Sequence, residues 1–205
     1  MLVWIDCEMT GLDLAHDELI EVACLVTDGE LSIQGEGVDV VIRAGDAALA
    51  HMGEFVTEMH TRSGLLEDLK ACTTTMRQAE EQVLAYVREY VPEPGRAPLA
   101  GNTIGTDRSF LLKDMPELEG HVHYRNVDVS SIKELVRRWY PRVFFNAPEK
   151  NGNHRALADI MESIEELKYF REAVMVPEPG PTAEEAKAIA ARYQGSVTGF
   201  GREGR

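Results

Sequence analysis

The chain has 205 residues, enough for one α/β domain with a small appendage, and 44% of them are hydrophobic, enough to bury a real core. Its 35 acidic and 21 basic side chains leave a net charge of −14, without the global basic stripe on which proteins that track long nucleic acid depend. No run approaches the ~20 apolar residues that span a bilayer. The start, Met1-Leu2-Val3-Trp4-Ile5-Asp6, lacks the basic stretch and cleavage site of a signal peptide. Cys7, Cys24 and Cys72 are odd in number and show no CxxC spacing, which argues against a disulfide framework or zinc site and suits a reducing cytosol. A cytoplasmic protein without a membrane segment is expected. Charge is uneven: residues 108–155 carry nine Lys/Arg against six Asp/Glu, a local +3. Two differently solvated faces explain this as well as a ligand does, and a nucleic-acid ligand is expected to be small.

In chain order, Leu2 to Glu8 reads as a buried strand that runs into the polar turn Thr10-Gly11-Leu12-Asp13. Leu19 to Thr27 is a second apolar strand, Asp28-Gly29 a hairpin signal, and Val38 to Ile42 a third strand, which together predict an antiparallel opening meander. Thr74 to Val91 is helical, with Met76, Ala79, Val83, Val87 and Tyr90 at helix spacing and Pro92-Glu93-Pro94-Gly95 as the stop. A short strand is expected at Pro98 to Gly101, a helix at Thr106 to Met115 and a brief strand at Val127 to Val129. Ser130 is then expected to cap a helix ending near Trp139. His154 to Met175 is the longest periodic segment, with Leu157, Ile160, Met161, Ile164, Leu167 and Phe170 as its core stripe. Pro177-Glu178-Pro179-Gly180-Pro181 separates a domain at 1–176 from an extension at 177–205. In that extension Thr182 to Tyr193 is expected to be helical, and the Gly/Arg-rich last dozen residues mobile.

Asp6 and Glu8 stand two apart on the first strand, so both carboxylates face one side while Cys7 faces the other. Converging acids repel unless a cation lies between them, and hard oxygen ligands suit Mg2+ or Mn2+. A D-x-E pair alone is a weak signal, strengthened here because it interrupts an apolar strand. Asp107 taken singly reads as a helix-start acid favoured by the dipole, Asp159 as a solvated helix acid and His154 as a cap or surface group. Their order is more informative: strand D-x-E, then Asn102 and Asp107 at a strand–helix junction, then His-x4-Asp on a helix.

That order resembles the DEDD exonucleases, in the subgroup with histidine in its last motif; Arg155 rather than tyrosine stands four before Asp159. Five segments resemble the oligoribonuclease family more closely. They are Asp6-Cys7-Glu8-Met9-Thr10-Gly11-Leu12-Asp13, Glu58-Met59-His60-Thr61-Arg62-Ser63-Gly64-Leu65, Gly101-Asn102-Thr103-Ile104-Gly105-Thr106-Asp107-Arg108, Tyr124-Arg125-Asn126-Val127-Asp128-Val129-Ser130 and His154-Arg155-Ala156-Leu157-Ala158-Asp159. The likeness covers about residues 1–175. Phe55 departs from the family's usual tryptophan and Thr103 from its usual serine.

The resemblance implies a ribonuclease H-like fold, a mixed central sheet flanked by helices. It implies 3′→5′ hydrolysis of very short RNA by a homodimer holding two divalent cations per site on Asp6 (bridging), Glu8, Asp107 and Asp159, with His154 as general base. Met9, Thr10 and Asn102 would line the substrate, and Leu12 and Phe55 would pack on its bases. Thr103, Arg125 and Ser130 would clamp its 5′ phosphate, and His60 and Tyr124 would meet across the dimer. Phe55 and Tyr124 as plain core, and Ser130 as a plain cap, are the alternatives. Two other functions compete: a DNA-proofreading or tRNA-trimming nuclease of the same fold, disfavoured by the flanking motifs, and a non-catalytic nucleotide-binding module. Five intact catalytic-type residues speak against the latter.

Overall fold

The computed structural model of the chain describes residues 1–149 and 155–194. Strand β1 (Leu2–Met9) lies at the centre of the sheet. Alternation along it sends Val3, Ile5, Cys7 and Met9 into one apolar cluster and Trp4 into a second on the opposite face. Asp6 and Glu8 continue the Trp4 row. Strand β2 (Leu19–Thr27) is buried at every position and pairs antiparallel with β1, where the Trp4 indole N–H donates to Thr27 Oγ1 at 3.0 Å.

Strand β3 (Ile33–Val41) starts five residues earlier than its apolar residues predict. Gly35 and Gly37 adopt φ of +70° and +81°, a region that costs glycine little, and the β2 register shifts between Cys24 and Val26. The Tyr86 hydroxyl pins this irregularity by donating to the Gln34 carbonyl at 2.7 Å and accepting from Val26 N–H at 3.1 Å. The hairpin also differs from a two-residue Asp-Gly turn. Asp28 Oδ1 accepts from the amides of Glu30 and Ser32 at 2.9 Å each, and Leu31 takes the left-handed conformation instead of Gly29.

Three short helices follow, α1 (Asp46–His51), α2 (Glu54–Ser63) and α3 (Leu65–Ala71), in a stretch too irregular in period to predict. Gly64, at φ +84°, turns the chain between the last two, and Leu65 and Leu69 pack on Ile20. Helix α4 (Met76–Tyr90) carries a Thr75–Gln78 capping box and buries Ala79, Val83, Leu84 and Val87 against the Val3/Ile5 face.

Strand β4 (Pro98–Gly101), helix α5 (Ile104–Asp114), helix α6 (Pro116–His121), strand β5 (His123–Asp128) and helix α7 (Val129–Trp139) come next. Helices α8 (Pro141–Phe145), α9 (Ala156–Val174) and α10 (Ala183–Ala191) complete the described residues. The cap of α7 is Asp128, whose carboxylate accepts from Ser130 N–H; Ser130 lies inside the helix, contrary to its expected cap role. On α9, Ile160, Ile164, Leu167 and Phe170 are buried with Trp4, whereas Met161 points outward and leaves the expected stripe. Helix α10 has a Thr182–Glu185 capping box and no buried residue.

The sheet order is β3-β2-β1-β4-β5, antiparallel across the first three strands and parallel from β1 through β5. This is the mixed, helix-flanked sheet expected. Because β1, β4 and β5 run parallel, their carboxyl ends share one edge, and β1 sits where pairing changes sense. Open α/β sheets place ligand sites at such an edge.

Candidate active site

Helix α9 packs across β1 and β2 on the Trp4 face and brings Asp159, in its first turn, over Asp6 and Glu8. One ligand oxygen from each of Asp6, Glu8 and Asp159 lies within 4.8 Å of the others. Asp107, in the first turn of α5, is also buried, and its Oδ1 accepts from Cys7 N–H at 3.0 Å, which ties α5 to β1 between the two strand acids. Burial, and after it the charges of Asp107, Glu8 and Asp159, hold the Asp6 carboxyl well above the usual carboxylate range. Glu8 is pushed up to about 8, mainly by burial and then by Glu21 and Asp159, and burial pushes Asp107 to about 7 despite its hydrogen bonds. Arg155 offsets part of this at Glu8, yet burial and the neighbouring acids outweigh it. All the donors are hard oxygens, so the arrangement fits divalent Mg2+ or Mn2+.

A fifth acid adjoins them, one that motif reasoning misses. Glu21 faces Glu8 in the β1–β2 register and is wholly buried. Its Oε1 accepts from Arg155 Nε and Nη2, each at 2.8 Å, and its Oε2 from Ala156 N–H at 3.2 Å. Arg155 Nη1 also donates to Asp68 Oδ2 of α3 at 2.8 Å. The available signal was a lone charge inside the nine-residue apolar run of β2.

The remaining expected site residues divide by exposure. Leu12, Phe55 and Tyr124 are 75%, 78% and 73% exposed, so neither Phe55 nor Tyr124 is core. Arg125 is exposed on edge strand β5, its guanidinium 5.4 Å from the Tyr124 ring. Thr103, at φ +56°, donates its N–H to Asp128 Oδ1 at 2.9 Å, and its hydroxyl meets the Ser130 hydroxyl at 3.1 Å. Asn102 joins them to α9: its Oδ1 accepts from Ser130 Oγ at 2.9 Å and its Nδ2 donates to Ser163 Oγ at 2.8 Å and Glu166 Oε2 at 3.1 Å. Its amide thus braces its neighbours.

Three of the expected substrate-lining residues are buried in the chain. His60 is wholly buried; its Nε2 bonds to the Met9 carbonyl at 2.9 Å and its Nδ1 lies 3.9 Å from Glu8 Oε2, which places the ring beside the acid cluster. The Thr10 hydroxyl is buried, donating to Asp17 Oδ1 at 2.8 Å and accepting from Glu18 N–H at 3.1 Å. The Met9 side chain belongs to the core, which leaves only its backbone near the site. His154, the expected general base, lies outside the described residues.

Residues 3–167 match the RNase_T exonuclease family model. The chain is 70% identical to an oligoribonuclease of Cutibacterium acnes, over 99% of this chain and 100% of that protein. It is 70% identical to one of Streptomyces griseus (93% and 94% covered) and 62% identical to one of Mycobacterium avium (93% and 88%). Among solved structures, it is similar to the zinc-bound Escherichia coli exonuclease I–single-stranded DNA complex, with TM-score 0.61 and 14% identity over 84% of this chain and 40% of that one. The same protein with a 5cy-dT13 oligonucleotide gives a TM-score of 0.60 at 15% identity, over 84% and 41%. At that identity the likeness concerns the fold.

Proposed function

The chain belongs to the oligoribonuclease family of RNase_T exonucleases, and from that membership we propose that it is a cytoplasmic 3′→5′ exoribonuclease that hydrolyses very short RNA, dinucleotides above all, to nucleoside 5′-monophosphates. The observation that carries the reading is the convergence of Asp6, Glu8 and Asp159 within 4.8 Å beside the carboxyl end of β1. With Asp107 these residues would hold two Mg2+ or Mn2+ ions, Asp6 as the shared ligand. When bound, the cations supply Lewis-acid stabilisation of the phosphoryl oxygens and the leaving 3′ oxygen.

His154 accepts the proton of the attacking water, a task that suits an imidazole whose ordinary pKa lies near neutrality while the carboxylates serve the cations. The exposed side chains of Leu12 and Phe55 offer apolar surface to the bases without reading sequence, since every base has a π face. The paired hydroxyls of Thr103 and Ser130, with Arg125, grip a 5′ phosphate. In a homodimer, exposed Tyr124 reaches toward the partner. The test is Mg2+-dependent release of mononucleotides from a labelled RNA dimer, run beside a long single strand and with EDTA. Rapid EDTA-sensitive turnover of the dimer is expected; turnover of the long strand alone overturns the assignment.

A further inference from the structure

Glu21 is out of place on stability grounds alone. It adds a wholly buried negative charge beside four acids that already repel one another, and it contributes to raising the pKa of both Asp6 and Glu8. A buried ion pair is costly to desolvate, and a well-packed apolar pair of the same volume is commonly as stable or more so. Nor is Glu21 a spare cation ligand, because its Oε1 is taken twice by Arg155 and its Oε2 by Ala156 N–H.

What the pair does hold is the start of α9. Arg155 is the N-cap residue of that helix and provides no side-chain acceptor for the first-turn amides. Glu21 supplies one from β2, with its negative charge set against the helix N-terminus. The Arg155 carbonyl in turn accepts from Asp159 N–H at 3.1 Å, so the chain Glu21–Arg155–Asp159 runs from the sheet to a candidate cation ligand. The fork of Arg155 spans Glu21 of β2 and Asp68 of α3, which fixes the residue from two elements. His154 directly precedes Arg155 in the chain.

We propose that Glu21 and Arg155 are positioning residues for catalysis, a clasp that sets the first turn of α9 so that Asp159 meets Asp6 and Glu8. The proposal rests on the exoribonuclease reading for its catalytic half and on the carboxylate geometry alone for its metal half. Outer supports of metal ligands are typically worth roughly 10–100-fold in affinity or activity.

The experiment compares wild type, the double variant Glu21→Gln/Arg155→Met, and Arg155→Lys, by calorimetric Mn2+ titration and by kcat and KM on a 5′-phosphorylated RNA dimer. All measurements are made well below each variant's Tm. The double variant removes both charges together and so avoids stranding one. It should lose about 10–100-fold in kcat and about 10-fold in Mn2+ affinity, with KM within about threefold of wild type. Arg155→Lys, which keeps the charge and loses the fork, should fall between them. Wild-type kcat and Mn2+ affinity in a folded double variant would reduce the pair to a folding contact. If the double variant does not fold, Arg155→Lys decides: full wild-type behaviour in both measurements overturns the proposal. A wild type that binds Mn2+ yet leaves RNA dimers intact defeats the substrate reading only, and the Mn2+ arm then decides the clasp by itself.

Discussion

Asp6 shares a face of β1 with Trp4, and the contrast between the two explains the site: one side chain gains from leaving water, the other is a carboxyl whose ionised form is disfavoured by burial and by the acids around it. Substituting Asn for Asp6 removes the central charge while keeping nearly the same volume. Asp6→Asn is expected to fall below a tenth of wild-type turnover and, in EDTA, to melt no lower than wild type, because a repulsion is relieved. Retention of more than a tenth of the rate would sink its role as shared ligand. His154→Ala should lose roughly 10²–10⁴-fold in kcat with KM changed only a few-fold, the value of general-base help; a loss confined to KM would make it a substrate contact. The Asp6/Glu8 pair was legible because strand alternation turns a spacing of two into a shared face. Asp107 and Asp159 were legible in motif order, but the burial of the first and half-burial of the second come from packing of α5 and α9. Glu21 and Arg155 lie 134 positions apart, and no local pattern joins them. Met9, Thr10 and His60 sit inside motifs whose residue types say nothing about which side chains face inward, so their burial was not legible.

Among the secondary elements, the junction β5–α7 does the most with one side chain. Asp128 Oδ1 accepts from Ser130 N–H at 3.2 Å and from Thr103 N–H at 2.9 Å, and its Oδ2 accepts from the Ser131 hydroxyl. One carboxylate therefore caps a helix and holds Thr103 in its left-handed conformation. Asp128→Ala should cost about 1–2 kcal/mol in urea denaturation, the usual range for a lost N-cap. It should also raise KM for an RNA dimer several-fold, since Thr103 and Ser130 lose their tether. Lost stability with unchanged KM would remove these hydroxyls from the substrate clamp. Boundaries such as Leu19–Thr27 and Pro98–Gly101 were readable because continuous apolar runs ended at turn residues. The early start of β3 was not, because Gly35 and Gly37 argue locally against a strand and what holds them there is distant in sequence: pairing with β2 and the Tyr86 hydroxyl, some 50 residues on. Helices α1 to α3 are too short to show a period, and only a few of their residues, among them Leu65 and Leu69, reach the core.

Across the whole molecule, the clustered acids make stability depend on pH and cation together. Glu8 and Asp107 titrate near 8 and 7 in the folded chain, against about 4.3 and 3.9 for unfolded side chains. Between those limits the folded state binds more protons, so stability falls as pH rises, which is the reverse of a salt-bridged carboxylate. In EDTA, Tm should therefore drop from pH 5 to pH 8.5, and Mg2+ should restore most of it at the upper end. The −14 net charge acts with the same sign, so the difference between scans with Mg2+ and with EDTA at fixed ionic strength isolates the site; parallel scans would show that these acids hold no cation. The same charge bears on substrate length. A surface this acidic has little purchase on an extended polyanion, whereas two cations and one arginine suffice for a single backbone step. Arg125 belongs to a locally positive stretch, residues 108–155, and shares the β5–α7 region with Ser130. On the proposed reading, a 5′ phosphate gripped at one end and cleavage at the other would make the distance between them select a length. The ratio kcat/KM should peak on 5′-phosphorylated RNA dimers and fall as added nucleotides collide with the clamp. Arg125→Ala should flatten that profile, since losing one charge contact penalises the shortest substrate most. Equal kcat/KM on a dimer and a ten-nucleotide strand in the wild type would show that no such ruler exists and leave a general exonuclease in its place.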